Sequence, residues 1–129
     1  MPGLDNAKTN LKPYTVETAT TRYRAVKLGS VTGAVVPVTG ATDKVVGFSI
    51  EDGAVGETKA IAMDGGQIYA EAGAAILVDA DLTIDASGRV VTAAPSAGTN
   101  VQWFGKAREA AGAAGDVIPI MYARGVFQG

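Results

Sequence analysis

Closely spaced oxygen ligands can hold a divalent cation, and Asp79, Asp81 and Asp85 form a D-x-D-x-x-x-D pattern. An EF-hand loop needs a different second spacing and a closing glutamate that binds the ion through both oxygens. Neither is present, so the three aspartates read as a solvated acidic turn, and no metal site is assigned. Glu51, Asp52 and Glu109 fall in two corresponding loops. Paired carboxylates work as acid and base only where their surroundings split their pKa values, and loops this rich in Gly and Ala supply no pocket. A serine or threonine nucleophile needs a positioned base. The chain has no His and no Cys, and it carries neither S-x-x-K nor G-x-S-x-G. Asp64, Gly65 and Gly66 read as a turn, not as a phosphate cradle. The expectation is a protein with no catalytic residues, no metal and no cofactor: not an enzyme.

Composition narrows the remaining classes. The 129 residues are 47% hydrophobic, enough for one ordinary domain with a core and too much for global disorder. Most of that content is Ala and Val, so the core should be thin. Seventeen Gly and five Pro give more punctuation than a helical protein needs. Without Cys there is neither a disulfide frame nor a thiol zinc site. Apolar runs such as residues 72–78 are too short to span a bilayer, so no membrane partner is expected. The first residues lack the apolar stretch of a signal peptide, and Sec export is not expected. Charge is divided unevenly. Residues 1–27 hold five basic and two acidic side chains, net +3, and the rest hold six and eleven, net −5. An acidic body with few aromatics does not suit nucleic acid.

The elements that would carry any site are organised by an internal repeat. Residues 45–68 return as residues 103–127: Gly47 falls on Gly105, Gly56 on Gly115, Gly66 on Gly125 and Ile68 on Phe127. Each copy reads as strand, glycine-bearing loop, strand, turn and short strand. Two copies point to one domain built by duplication. Side chains alternate along a strand, so Ile61 with Met63, and Ile120 with Tyr122, should face the core. Strands are expected at residues 22–28, 34–38, 76–78, 82–84 and 89–93. Residues 106–114 contain good helix formers, but their repeat partner does not, and strand followed by loop is preferred. The fold expectation is mainly β: a small barrel or sandwich of short strands built from two similar halves, roughly 22–69 and 76–127. Residues 21–129 form the single domain, and residues 1–20 form an extended N-terminal arm with no helical period. In it Tyr14, Val16 and Thr18 alternate with Thr15, Glu17 and Ala19 as toward a strand, and the arm is either disordered or ordered by a partner.

Contact residues follow from this reading. Leu11, Tyr14 and Val16 would anchor the arm, with Tyr23 beyond it. Phe48 and Ile50 align with Lys106 and Arg108, apolar in one copy and charged in the other. That mismatch either marks a register slip by one or leaves Phe48 and Ile50 for another subunit to bury. Trp103 is the one strong candidate for an aromatic platform in a carbohydrate- or receptor-binding β module, the competing function.

Residues 25–69, AVKLGSVTGAVVPVTGATDKVVGFSIEDGAVGETKAIAMDGGQIY, and residues 72–122, AGAAILVDADLTIDASGRVVTAAPSAGTNVQWFGKAREAAGAAGDVIPIMY, together resemble the head-decoration, or capsid cement, proteins of tailed phages. The shared features are a V-K-L strand, G-x-V-V-P, an Ala/Thr loop, a V-x-G strand with a small-residue loop ending in Gly, and an apolar strand. Ser49 and the charged pair Lys106 and Arg108 depart from that pattern. The resemblance implies a non-enzymatic protein on the outer surface of the virion capsid, bound to the major capsid protein at subunit junctions and to itself as a homotrimer. Under this reading the arm staples neighbours together, and removing residues 1–20 should leave a folded body that binds capsids poorly.

Overall fold

The computed structural model describes residues 10–129. Twelve short strands and no helix make up these residues: β1 (Asn10–Val16), β2 (Ala25–Leu28), β3 (Ala34–Pro37), β4 (Val45–Ser49), β5 (Thr58–Met63), β6 (Gly66–Glu71), β7 (Leu82–Ile84), β8 (Val90–Thr92), β9 (Asn100–Trp103), β10 (Lys106–Ala107), β11 (Val117–Tyr122) and β12 (Gly125–Gln128). The mainly β expectation holds. Residues 76–78 form no strand, and only Ile76 makes an isolated bridge, to Ala111.

Strands β1 to β5 close into a barrel in the order β1-β3-β2-β4-β5. Its closing strand lies in the segment read from sequence as an arm. β1 pairs antiparallel with β5, Asn10 opposite Met63 and Thr15 opposite Thr58, and parallel with β3, Val16 opposite Val35. The expectation of a partner-ordered arm running to residue 20 is therefore corrected for residues 10–16. Residues 1–9 of that arm lie outside the described residues. The physical reason is alternation: Tyr14 and Val16 point inward, and the strand's amides and carbonyls are met on both edges, so the barrel itself orders it.

The second half repeats this connectivity strand for strand, with β6, β7, β8, β10 and β11 in the places of β1, β2, β3, β4 and β5. β11 runs antiparallel to β6, Tyr122 opposite Gly66, as Met63 stands opposite Asn10. A parallel bridge between Ala72 and Val90 copies that between Val16 and Val35. The bridge between Asp81 and Lys106 copies the pair Ala25 and Phe48. The glycines follow the same rule. A Cβ on Gly47 would strike the carbonyl oxygen of Ala62, and one on Gly105 that of Met121, the corresponding residue. Gly56 and Gly115 take φ of 90° and 95°, a left-handed conformation open to glycine at no steric cost. The repeat thus begins at β1 and at β6, earlier than the sequence expectation. Nothing in NLKPYTV resembles GQIYAEA, so pattern matching could not align them.

Ile61, Ile120 and Tyr122 are buried as expected, and Met63 is half-buried. They serve different cores. Tyr14, Val26, Val35 and Ile61 fill the first barrel, with Val46 and Met63 packed against them. The larger core takes Ile68, Leu82, Val90, Ile118, Ile120 and Tyr122 from the second half, and Ala25, Val45, Phe48 and Ala62 from the outside of the first barrel. Phe48 is the centre of that contact. Its ring meets Tyr122 edge-on at 5.2 Å and Phe104 at 6.3 Å, and such pairs add to the area buried.

Candidate functional site

The predicted contact residues separate into two groups. Tyr14, Val16 and Phe48 lie in the chain's own core and have no surface for a capsid subunit. Those three expectations are corrected. The Phe48 and Lys106 mismatch was real and the register did not slip. The apolar copy is covered by the other half of the same chain, while Lys106 and Arg108 stand exposed. Ile50 is partly buried against the same shared core. Leu11 remains exposed on the outer side of β1. Tyr23 is half-buried, with the Arg22 guanidinium 5.5 Å from its ring centre. It takes φ of 66°, and Asp79, at the corresponding position of the second half, takes 67°. The two turns match as closely as the strands: the Tyr23 amide donates to the Ser49 carbonyl, and the Asp79 amide to the Ala107 carbonyl.

Trp103 does not form a free aromatic platform. It is half-buried at the end of β9, and its indole N–H donates to Asp81 Oδ1 at 2.9 Å. Lys106 Nζ lies 3.4 Å from the same oxygen. Trp103, Lys106, Arg108 and Met121 line a shallow cavity of about 170 Å³ on the outside of the second half. The three aspartates of the sequence pattern are dispersed. Asp79 sits in its turn, Asp81 holds Trp103 and Lys106, and Asp85 accepts the amides of Ser87 and Arg89 and pairs with the Arg89 side chain. Among the described residues no group of three or more acidic side chains is placed to hold a metal ion.

A polar clasp joins the halves. Arg24 donates from Nε to Glu71 Oε1 at 2.9 Å and from Nη2 to Oε2 at 3.2 Å, a two-point pairing suited to the guanidinium fork. The hydrogen bond to Glu71 raises the Arg24 pKa. The Glu71 amide also donates to the Tyr23 carbonyl, and the Ala25 amide to the Gly88 carbonyl. No charge pattern in the sequence announced this clasp, because its partners are 47 residues apart.

Surface apolar residues were the main omission of the sequence reading. Leu28, Val31, Tyr69, Leu77 and Val78 are all well exposed. Leu28 had a readable signal. It ends a strand whose copy places Ile84 at the corresponding position, and Ile84 is buried.

Comparison with known proteins agrees with this architecture. A family model described as phage cement protein matches residues 8–122. No curated protein matches the chain in sequence. Among solved structures, the head fiber gp8.5 N base in bacteriophage phi29 superposes with a TM-score of 0.69 at 16% identity, over 95% of this chain and 100% of that one. At that identity the match speaks for a shared fold. The family match spans both halves and includes β1, and by it this chain belongs to the phage cement protein family, structural proteins of the bacteriophage head at the capsid surface.

Proposed function

We propose that this protein decorates the outer surface of an assembled phage head and stabilises it by bridging neighbouring major capsid subunits, without catalysis and as a homotrimer. The observation that carries the reading is the family match over residues 8–122, which takes in the first barrel and its five counterpart strands in the second half. The fold supports it. Every strand of the first barrel is paired on both edges, so that barrel offers no free sheet edge, and its outer face packs on the second half. Many copies on a closed shell turn a modest contact into a large collective stabilisation. Stapling by residues 10–16 is set aside, since those residues close the barrel. The contact belongs instead to exposed side chains such as Leu11.

The test is co-sedimentation with purified heads. The protein should pellet with expanded, DNA-filled heads and not with immature ones, and decorated heads should release DNA at a higher temperature. Failure to pellet with mature heads at micromolar concentration would end this reading. The carbohydrate-binding alternative finds no support at Trp103, whose indole N–H is engaged by Asp81.

A further inference from the structure

A duplicated chain whose halves dock in one direction has a geometric consequence. The outside of the first barrel packs on the second, so one copy of each side of that contact is left without a partner. On the receiving side the second half uses the β7–β8 turn. A Cβ on Gly88 would lie 3.0 Å from the Ala25 carbonyl oxygen, and Ile84 is only 2% exposed. The corresponding residues of the first barrel are Gly33 and Leu28. Gly33 keeps nearly the same φ, 79° against 81°, yet a Cβ there would meet nothing within 4 Å. Leu28 is 60% exposed, and Val31 in the same turn is 64% exposed. The first barrel therefore shows the receiving surface empty and apolar. On the docking side, Ala25, Phe48 and Ala62 of the first barrel correspond to Asp81, Lys106 and Met121 of the second, where Met121 is exposed and Trp103 sits beside it.

We propose that copies of this chain associate head to tail by repeating their internal contact. The Asp81, Lys106, Met121 and Trp103 face of one copy seats on the Leu28, Val31 and Gly33 surface of the next. The occupant follows from continuity: the chain already docks this face on this kind of surface once. Asp81 neutralises Lys106 locally, so the lysine's alkyl stem and Met121 face Leu28 and Val31 without an unpaired charge. Such a contact is heterologous, and it closes into a ring when its rotation permits. This inference names the surfaces for the self-association in the preceding reading and rests on that part of it alone.

The first experiment is sedimentation velocity on the full chain. The wild type should sediment as a multiple of its 13.0 kDa mass, and Leu28→Asp with Val31→Asp should sediment as the monomer with an unchanged β-sheet circular dichroism spectrum. A monomeric wild type, or a folded double variant that stays associated, overturns the proposal. The second experiment uses the absence of cysteine in the chain. Phe48 meets Tyr122 within the chain, so residue 106 of one copy should approach residue 63 of the next. Lys106→Cys protein mixed with Met63→Cys protein should cross-link with a short bis-maleimide, and neither variant should do so alone. Cross-linking of one variant with itself, or none in the mixture, overturns the directional contact. Pelleting of the wild type with heads, measured separately, reports on the capsid reading whatever the outcome here.

Discussion

Several individual side chains behave differently in the two halves, and the difference predicts their energetics. Glu17 reaches across to the turn beside Gly29, where its carboxylate accepts the amides of Ser30 and Val31 and the Ser30 hydroxyl. In the second half the carboxylate comes from the other side: Asp85 stands where Gly29 does, and Gly73 stands where Glu17 does. One carboxylate fits the space, and two do not. Gly29→Asp and Glu17→Gly should each destabilise the protein by about 1–2 kcal/mol, while the double variant should recover most of the loss. Chemical denaturation of all four proteins checks the coupling. Thr20 Oγ1, Ser49 Oγ and Tyr122 OH are buried without a hydrogen-bond partner among the described residues. The second half has Ile76 and Ala107 at the positions of Thr20 and Ser49, both buried. Ser49→Ala should accordingly raise stability, by about 1 kcal/mol, since it removes an unpaired buried hydroxyl. Burial pushes the Tyr122 hydroxyl up to about 12 from its ordinary 10.0. The unfolded chain therefore loses this proton first. Stability should be whole below pH 10 and fall by roughly 2 kcal/mol as pH rises toward 12. Tyr122→Phe should lose that part of the alkaline dependence in denaturation curves.

At the scale of elements, β1 decides whether the first barrel exists. It is the only strand that joins β3 to β5 among the described residues. Removing residues 1–9 should leave the thermal transition in place. Removing residues 1–17 should abolish it, because Val35 and Ile61 would face water and two sheet edges would open. This reverses the expectation that a body lacking residues 1–20 still folds, and differential scanning calorimetry of the two truncations separates the cases. The loop between β3 and β4 has its own acid limit. The backbone amide of Thr39, the Lys27 side chain and the Gly40 amide all donate to Asp43 and hold its carboxyl at about 2, below its ordinary 3.8. The native state thus binds fewer protons between those values, and the loop's stabilisation is lost as pH falls from about 4 to 2. Asp43→Asn should flatten that portion of the acid profile.

For the whole molecule, the shared core is what joins the first barrel to the second half. Phe48 comes from the first half and is surrounded by the second, so the second half cannot complete its core without the first. We propose that the chain unfolds as one unit. Phe48→Ala should cost about 3–5 kcal/mol and shift a single transition downward without splitting it. The fluorescence of Trp103, in the second half, and the far-ultraviolet circular dichroism of the strands of both halves should move together. Two resolved transitions would refute the shared-core account. The same coupling suits a cement protein, because a load applied at one half is carried to the other through packed rings instead of a linker.

The residues themselves determined the β class and the glycine turns at Gly56 and Gly115, because alternation and φ requirements are local and leave a written pattern. They also determined the Phe48 and Lys106 contrast, since a register set by Gly47 and Gly105 survives in both copies. What covers Phe48 was not legible. Burial is a property of the partner surface, and that surface is the chain's own second half. The extended character of β1 was written in the alternation of Tyr14 and Val16, but its place was not, for a related reason: an isolated extended segment is ordered only by the edges it meets, and those edges belong to β3 and β5, far along the chain. Only the tertiary structure decided whether that segment reached outward or closed the barrel, because strand pairing depends on distance in space, which a linear pattern does not record.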